Sequence, residues 1–157
     1  MATSFTPLTQ IAGGIADRIR AGAADQFKLI TFAQATNGAQ IWQMLQAVSS
    51  IPGCVVAIGS GEYAPDALKR TIRVMIFVVD TFSRGTANAA DGLWRRVETV
   101  LNLFLPDWSA DDPARPTVCG IEFVPVSWSP VESEENVSAF TLVLEGNEFL
   151  TEESESL

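Results

Sequence analysis

The chain has 157 residues, with 10 Lys and Arg against 19 Asp and Glu, no His, two Cys and 47% hydrophobic residues. A net charge of −9 and a pI near 4.3 argue against a general binder of DNA, RNA or anionic membranes, because such affinity comes from Lys and Arg neutralising phosphates. The absence of His removes Ser-His-Asp, Cys-His and His-ligated metal chemistry together.

The length suits one domain able to bury about 70% of the surface its unfolded chain exposes. Charge is unevenly spread. Residues 1–106 carry nine basic and seven acidic side chains, whereas residues 107–157 carry Arg115 alone against twelve acids. Cys54 and Cys119 each lie in an apolar run and read as small buried hydrophobes of a disulfide-free protein made in a reducing cytoplasm. The first ten residues lack the basic and apolar regions of a secretory signal. The longest apolar run, Val74 to Val79, is far shorter than the ~20 residues that span a bilayer.

In chain order, Thr6-Pro7 reads as a helix start with Thr6 as N-cap. Leu8, Ile11, Ile15 and Ile19 recur at helical steps to about Arg20 or Ala21, and Gly22 ends the helix. Phe27 to Phe32 has the content of a short strand. After Asn37-Gly38 a second helix is predicted from Ile41, Leu45 and Val48, ended by Pro52. Cys54 to Ile58 reads as a buried strand, and Gly59, Gly61 and Pro65 as a polar loop.

Lys69 to Asp80 alternates at first, with Thr71 and Arg73 on one side and Ile72 and Val74 on the other. Val74 to Val79 is then apolar on both sides, which predicts a central strand covered on both faces at one end. Ser83, Arg84 and Gly85 predict a turn. A third helix over about Ala89 to Phe104 buries Leu93, Val97, Val100, Leu101 and Phe104, with Arg95, Arg96, Glu98 and Asn102 in water. Asp107 to Pro116 reads as an exposed connection. Two strands, Val118 to Trp128 and Asn136 to Glu145, form a hairpin around an acidic turn containing Glu132, Glu134 and Glu135.

These elements predict an α+β fold, a single domain over residues 1–149 with a mixed, mostly antiparallel sheet packed with about three helices. Residues 150–157 form an acidic disordered tail.

Catalytic readings find little support. Gly59-Ser60-Gly61-Glu62 follows a strand but lacks the Gly-Lys-Ser/Thr and the helix of a phosphate loop. Asp80 reads as a strand-ending turn residue and Glu122 as outward-pointing, so neither makes a carboxylate pair for acid/base work. Asp111-Asp112 and Glu134-Glu135 lack the spacing of a calcium loop. No catalytic, metal or cofactor residue is assigned. Trp42 and Trp94 read as core or rim. Trp108, beyond Pro106, and Trp128, beside the acidic turn, have the setting of interface anchors. Lys69, Arg70, Arg73 and Arg84 gather near the central strand while the acids gather in the last third, a polarity suited to head-to-tail contacts.

Three segments carry a family resemblance: Ile51-Pro52-Gly53-Cys54-Val55-Val56-Ala57, the run Arg70 to Asp80, and Gly92-Leu93-Trp94-Arg95-Arg96-Val97 leading to Leu103-Phe104-Leu105-Pro106. With the final hairpin through Phe140-Thr141-Leu142-Val143-Leu144, the chain resembles the tail terminator (tail-completion, minor tail) proteins of tailed bacteriophages over roughly residues 8 to 149. The resemblance implies a non-enzymatic virion protein, made in the host cytoplasm and located at the head-proximal end of the tail. It implies a homo-oligomer, a hexameric ring that caps the tube, stops its polymerisation and joins the head connector. The tail tube protein and a connector or neck protein are the implied partners, with no cofactor, no membrane and no specific nucleic acid. Candidate subunit or tube contacts are Arg73, Arg84, Trp108, Trp128, Glu132, Glu134 and Glu135, with Ser83 to Thr86 and Glu132 to Asn136 projecting toward neighbours. The competing readings are another neck or head-tail adaptor protein, a monomeric adaptor using Trp108 and Trp128, and a small hydrolase or nucleotide-binding domain using Gly59 to Glu62.

Overall fold

The computed structural model describes residues 4–33, 40, 52–81, 87–111, 114–131 and 137–150. The first helix, α1 (Leu8–Ala23), buries Ile11, Ala12, Ile15, Ala16, Ile19 and Ala23, while Leu8, expected on the same stripe, is exposed at the helix start. Its start differs from expectation. Pro7 holds the N-cap position with extended backbone, and its carbonyl accepts from the amides of Gln10 and Ile11. No side chain caps the helix. The helix also passes through Gly22, where any Cβ would collide with the Leu103 side chain, so this glycine serves close packing and does not end the helix.

A 3-10 turn (Ala24–Gln26) leads to β1 (Leu29–Phe32), which pairs in parallel with β2 (Gly53–Tyr63) from Leu29↔Gly53 to Phe32↔Val56. β3 (Lys69–Thr81) returns antiparallel to β2. The second described α-helix, α2 (Ala87–Asn102), buries Leu93, Val97 and Val100, and Phe104 just beyond its end. β4 (Thr117–Val118) turns through Cys119 and Gly120 into β5 (Ile121–Val131), which pairs with β6 (Val137–Phe149). The positive φ angles of Cys119 and Gly120, 54° and 76°, fit the two-residue turn that matches strand twist.

The sheet order is β1-β2-β3-β6-β5-β4. It curls into a half-barrel. On its concave side α1 touches β1, β2 and β4, while α2 touches β3 and β6. The main core fills this space with Cys54, Val56, Val74, Ile76, Val78, Leu142, Leu144 and Phe123 from the sheet. Alternate residues point the other way. Val55, Ala57, Phe77, Val79 and Ala139 form a smaller buried cluster on the far face.

The expected α+β fold with about three helices on a sheet is therefore corrected. The described residues are 46% strand and 28% helix, with two α-helices. The helix expected over residues 41–48 lies outside the described residues, as does the tail beyond residue 150. β2 outgrows its predicted length because the glycines read as a loop sit inside it. Gly59 and Ser60 oppose Arg73 alone, between the pairs Ile58↔Val74 and Gly61↔Ile72, and so form a β-bulge in β2. A Cβ on Gly61 would lie 2.8 Å from the Thr71 carbonyl oxygen. Pro125 and Pro130 likewise lie within β5.

The expected basic cluster is also resolved differently. Strand alternation sends Arg70 to the concave side and Arg73 to the far face, each opposite an acid of β6 or next to one. Arg70 pairs with Glu148 at 2.9 Å with both side chains only 8% exposed. Arg73 pairs with its direct partner Glu145 at 3.1 Å, partly in solvent. Lys69 lies over the Phe149 ring.

These settings predict unequal costs. Glu148→Ala leaves Arg70 buried and unpaired and should destabilise the fold by about 3–5 kcal/mol. Glu145→Ala should cost about 1 kcal/mol or less. Urea unfolding of the two variants beside the parent chain measures the difference, and equal losses would refute it.

Candidate interaction surface

β5 is the strand with the most unshared edge. Its outer side pairs with β4 at Ile121↔Val118 and Glu122↔Thr117, and no described strand lies along it from Phe123 to Val131. A proline keeps its place in a ladder where its nitrogen points away from the partner strand, which puts the nitrogens of Pro125 and Pro130 on this outer edge. Two backbone donors are thus missing and extended strand pairing is discouraged. What the edge offers is side chains. The register shift between Pro125 and Ser127 makes Val126 an extra, exposed residue, and Trp128, opposite Leu142, is 64% exposed.

A second apolar ridge follows α2 and the connection after it. Trp94 is 57% exposed and Leu101, seven positions on, lies on the same side of α2, partly buried against the core, while Leu105 is exposed in the turn beyond the helix end. This side is rotated from the buried Leu93–Val97–Val100 stripe. Arg18 of α1 fixes the end of α2, donating to the Leu103 carbonyl at 2.7 Å with its guanidinium over the Phe104 ring. Trp108 follows at 69% exposure in a turn held by Asp107, whose carboxylate accepts from the Ser109 amide and hydroxyl. Those bonds, the hydroxyl's first, hold the Asp107 pKa below the ordinary carboxylate value.

Of the expected contact residues, Trp108 and Trp128 are thus exposed on separate elements, and Arg73 is engaged with Glu145. Arg84, Glu132, Glu134 and Glu135 lie outside the described residues. Sequence reading missed the exposure of Val126 and Trp94. Two prolines five positions apart in an otherwise β-rich run are the signal that marks β5 as an edge strand.

Other expectations are revised. Gly59 to Glu62 belongs to β2 and is followed by a strand, so it does not aim loop amides from a helix N-terminus. Asp80, expected as a strand-ending turn residue, lies within β3, is 8% exposed and accepts from Arg96 at 2.7 Å. Arg96, expected in water, also donates to the Gln26 carbonyl and ties α2 to the 3-10 turn and β3. Glu122 pairs with Arg115 at the surface. Among the described residues no group of three or more Cys, Asp and Glu could hold a metal ion, and no helix is long and apolar enough to cross a membrane. No protein-family model matches the chain, and no curated protein matches it.

The two thiols differ. Cys54 is buried in the core, and burial pushes its pKa to about 12. Cys119, expected to be buried, is exposed because its backbone makes the β4–β5 turn. A thiol reagent at pH 8 should therefore modify one thiol per native chain, at Cys119, and the second only on unfolding. Peptide mapping of the labelled chain checks this, and rapid native labelling of Cys54 would contradict it.

Proposed function

We propose that the chain is a structural subunit of a phage or prophage tail that caps the tail tube as a ring, stops tube growth and forms the joint to the head connector. The observation that carries this reading is the Val126–Trp128 edge of β5, an apolar contact surface on a proline-blunted strand. The Trp94–Leu105 ridge and Trp108 supply a second apolar surface on different elements, and a closed ring uses two different patches on each subunit. The family resemblance supplies the tube and connector as partners. No catalysis, metal or cofactor enters the proposed role, and its place is the virion.

The alternative structural role, a neck or head-tail adaptor protein, would use the same surfaces at another level of the particle. Neither reading draws on charge pairing by Arg73, which is already engaged with Glu145.

Light scattering and negative-stain imaging of the chain, alone and with tail tubes, test the proposal. Rings of the parent chain on tube ends are expected. Trp128→Ala should weaken subunit association by about 30-fold or more while leaving the circular dichroism spectrum unchanged, as for a truncated interface anchor worth about 2 kcal/mol. A chain that stays monomeric even with tubes present would overturn the proposal.

A further inference from the structure

The segment before α1 is held by a site built from the sheet. Arg70 and Glu148 are direct cross-strand partners on β3 and β6, and Tyr63 of β2 is the direct partner of Arg70 on its other side. Glu148 divides its two oxygens. Oε1 takes the guanidinium of Arg70, whereas Oε2 accepts both the Thr6 amide, at 3.0 Å, and the Thr6 hydroxyl, at 2.6 Å. Arg70 Nη2 in turn donates to the Thr6 carbonyl. Phe5 lies against the guanidinium, 4.7 Å from its ring centroid, and meets Tyr63 edge-on at 5.5 Å.

Every polar group of Thr6 is therefore engaged by one buried ion pair, and the preceding aromatic ring is read by a cation and a tyrosine. Engagement of the amide and carbonyl would accept any residue, but the hydroxyl bond selects Ser or Thr and the ring contacts select an aromatic before it. Pro7 completes the pattern, because a residue preceding proline favours the extended conformation. The pairing of Arg70 with Glu148 belongs to the sheet ladder, not to the segment that covers it. Beside the segment a cavity of about 180 Å³ extends between Leu8, Ile58, Tyr63 and Arg70.

We propose that Tyr63, Arg70 and Glu148 form a binding site for an extended protein segment of the pattern aromatic–Ser/Thr–Pro. The chain's own Phe5–Thr6–Pro7 occupies it as an intramolecular ligand, and the same segment of a second copy can replace it. The inference stands independently of the ring reading, since it rests on contacts within one chain.

The test uses the full chain carrying Phe5→Ala and Thr6→Ala, which removes the hydroxyl bond and the ring contacts, and so weakens the chain's own segment in the site, without touching the sheet residues. A fluorescent peptide of residues 4–8, Ser-Phe-Thr-Pro-Leu, is titrated by anisotropy. Saturable binding to the variant is expected, and at least about 10-fold weaker binding to the parent chain, whose own segment competes. The peptide bearing Thr6→Val should bind the variant at least about 10-fold more weakly, as for loss of a hydrogen bond to a charged group. Absence of binding up to about 1 mM by a variant with native circular dichroism, or equal binding of the Thr6→Val peptide, would overturn the proposal. Should the variant not fold, amide hydrogen exchange on the parent chain decides. The Thr6 amide is expected to exchange at least about 100-fold faster than that of Ile76, through opening of the segment alone. Exchange of both only through global unfolding would show that the segment is not a separable ligand.

Discussion

The ladder between β3 and β6 is the constraint on which the rest of the structure depends. Its thirteen register pairs run without interruption from Lys69↔Phe149 to Thr81↔Val137. Because side chains alternate with a period of two, a slip of one residue would send Ile72, Val74, Ile76 and Val78 to the far face and bring Arg73 into the concave core. The two ion pairs report the same register from opposite faces, Arg70 with Glu148 on one and Arg73 with Glu145 on the other. A slipped register would leave a buried arginine without its carboxylate, at a cost larger than most single packing defects. Everything else is placed from this ladder. β2 and β5 add to its two sides, α2 packs across it, and Asp80 at its end receives Arg96 from α2.

The ladder also changes the meaning of the charge distribution. Along the sequence nine of the ten bases precede residue 107 and twelve of the nineteen acids follow it, which suggests attraction between neighbouring molecules. In the fold, Glu145 and Glu148 of the acidic third neutralise Arg73 and Arg70 of the basic part within one chain, and Asp80 neutralises Arg96. Charge that is satisfied internally contributes little to association. The described residues also expose apolar and aromatic side chains, with Trp128 and Val126 on β5 and Trp94, Leu105 and Trp108 around α2. Aromatic side chains gain more from desolvation than exposed ion pairs do, so contacts built on them should depend weakly on salt.

How far the fold could be read in advance follows from the range of the interactions involved. The stripe Ile11, Ile15 and Ile19, the stripe Leu93, Val97 and Val100, and the two-faced run Val74 to Val79 are local patterns set by helix and strand periodicity, and the fold buries them as the patterns require. Trp108 and Trp128 have the polar flanks of interface anchors in the sequence, and the fold leaves both exposed. What sequence hid was long-range. Gly22, Gly59 and Gly61 look like breakers, but a Cβ would collide with Leu103 at Gly22 and with the Thr71 carbonyl at Gly61, and would sit tightly against the Arg73 carbonyl at Gly59. The burial of Arg70 depends on Glu148, 78 positions away, and that of Asp80 on Arg96, 16 positions away on α2. Cys119 sits between apolar neighbours and is exposed because the two-residue turn falls on it.

Thr6 shows how such distant partners override a local preference. As an N-cap its hydroxyl would satisfy one backbone donor of α1 and contribute about 1 kcal/mol. Bonded to a carboxylate, the same hydroxyl contributes about 1.5–3 kcal/mol, and its amide makes a second charge-assisted bond to the same oxygen. The stronger pair of bonds wins and α1 begins without a side-chain cap. The consequence reaches past one hydrogen bond. Pro7 has no amide to leave unsatisfied, so it tolerates the uncapped start, and its ring favours the extended backbone that delivers Thr6 to Glu148. The position of α1 against β2 and β4 is then set partly just ahead of its first residue, by an acid in the last strand of the chain.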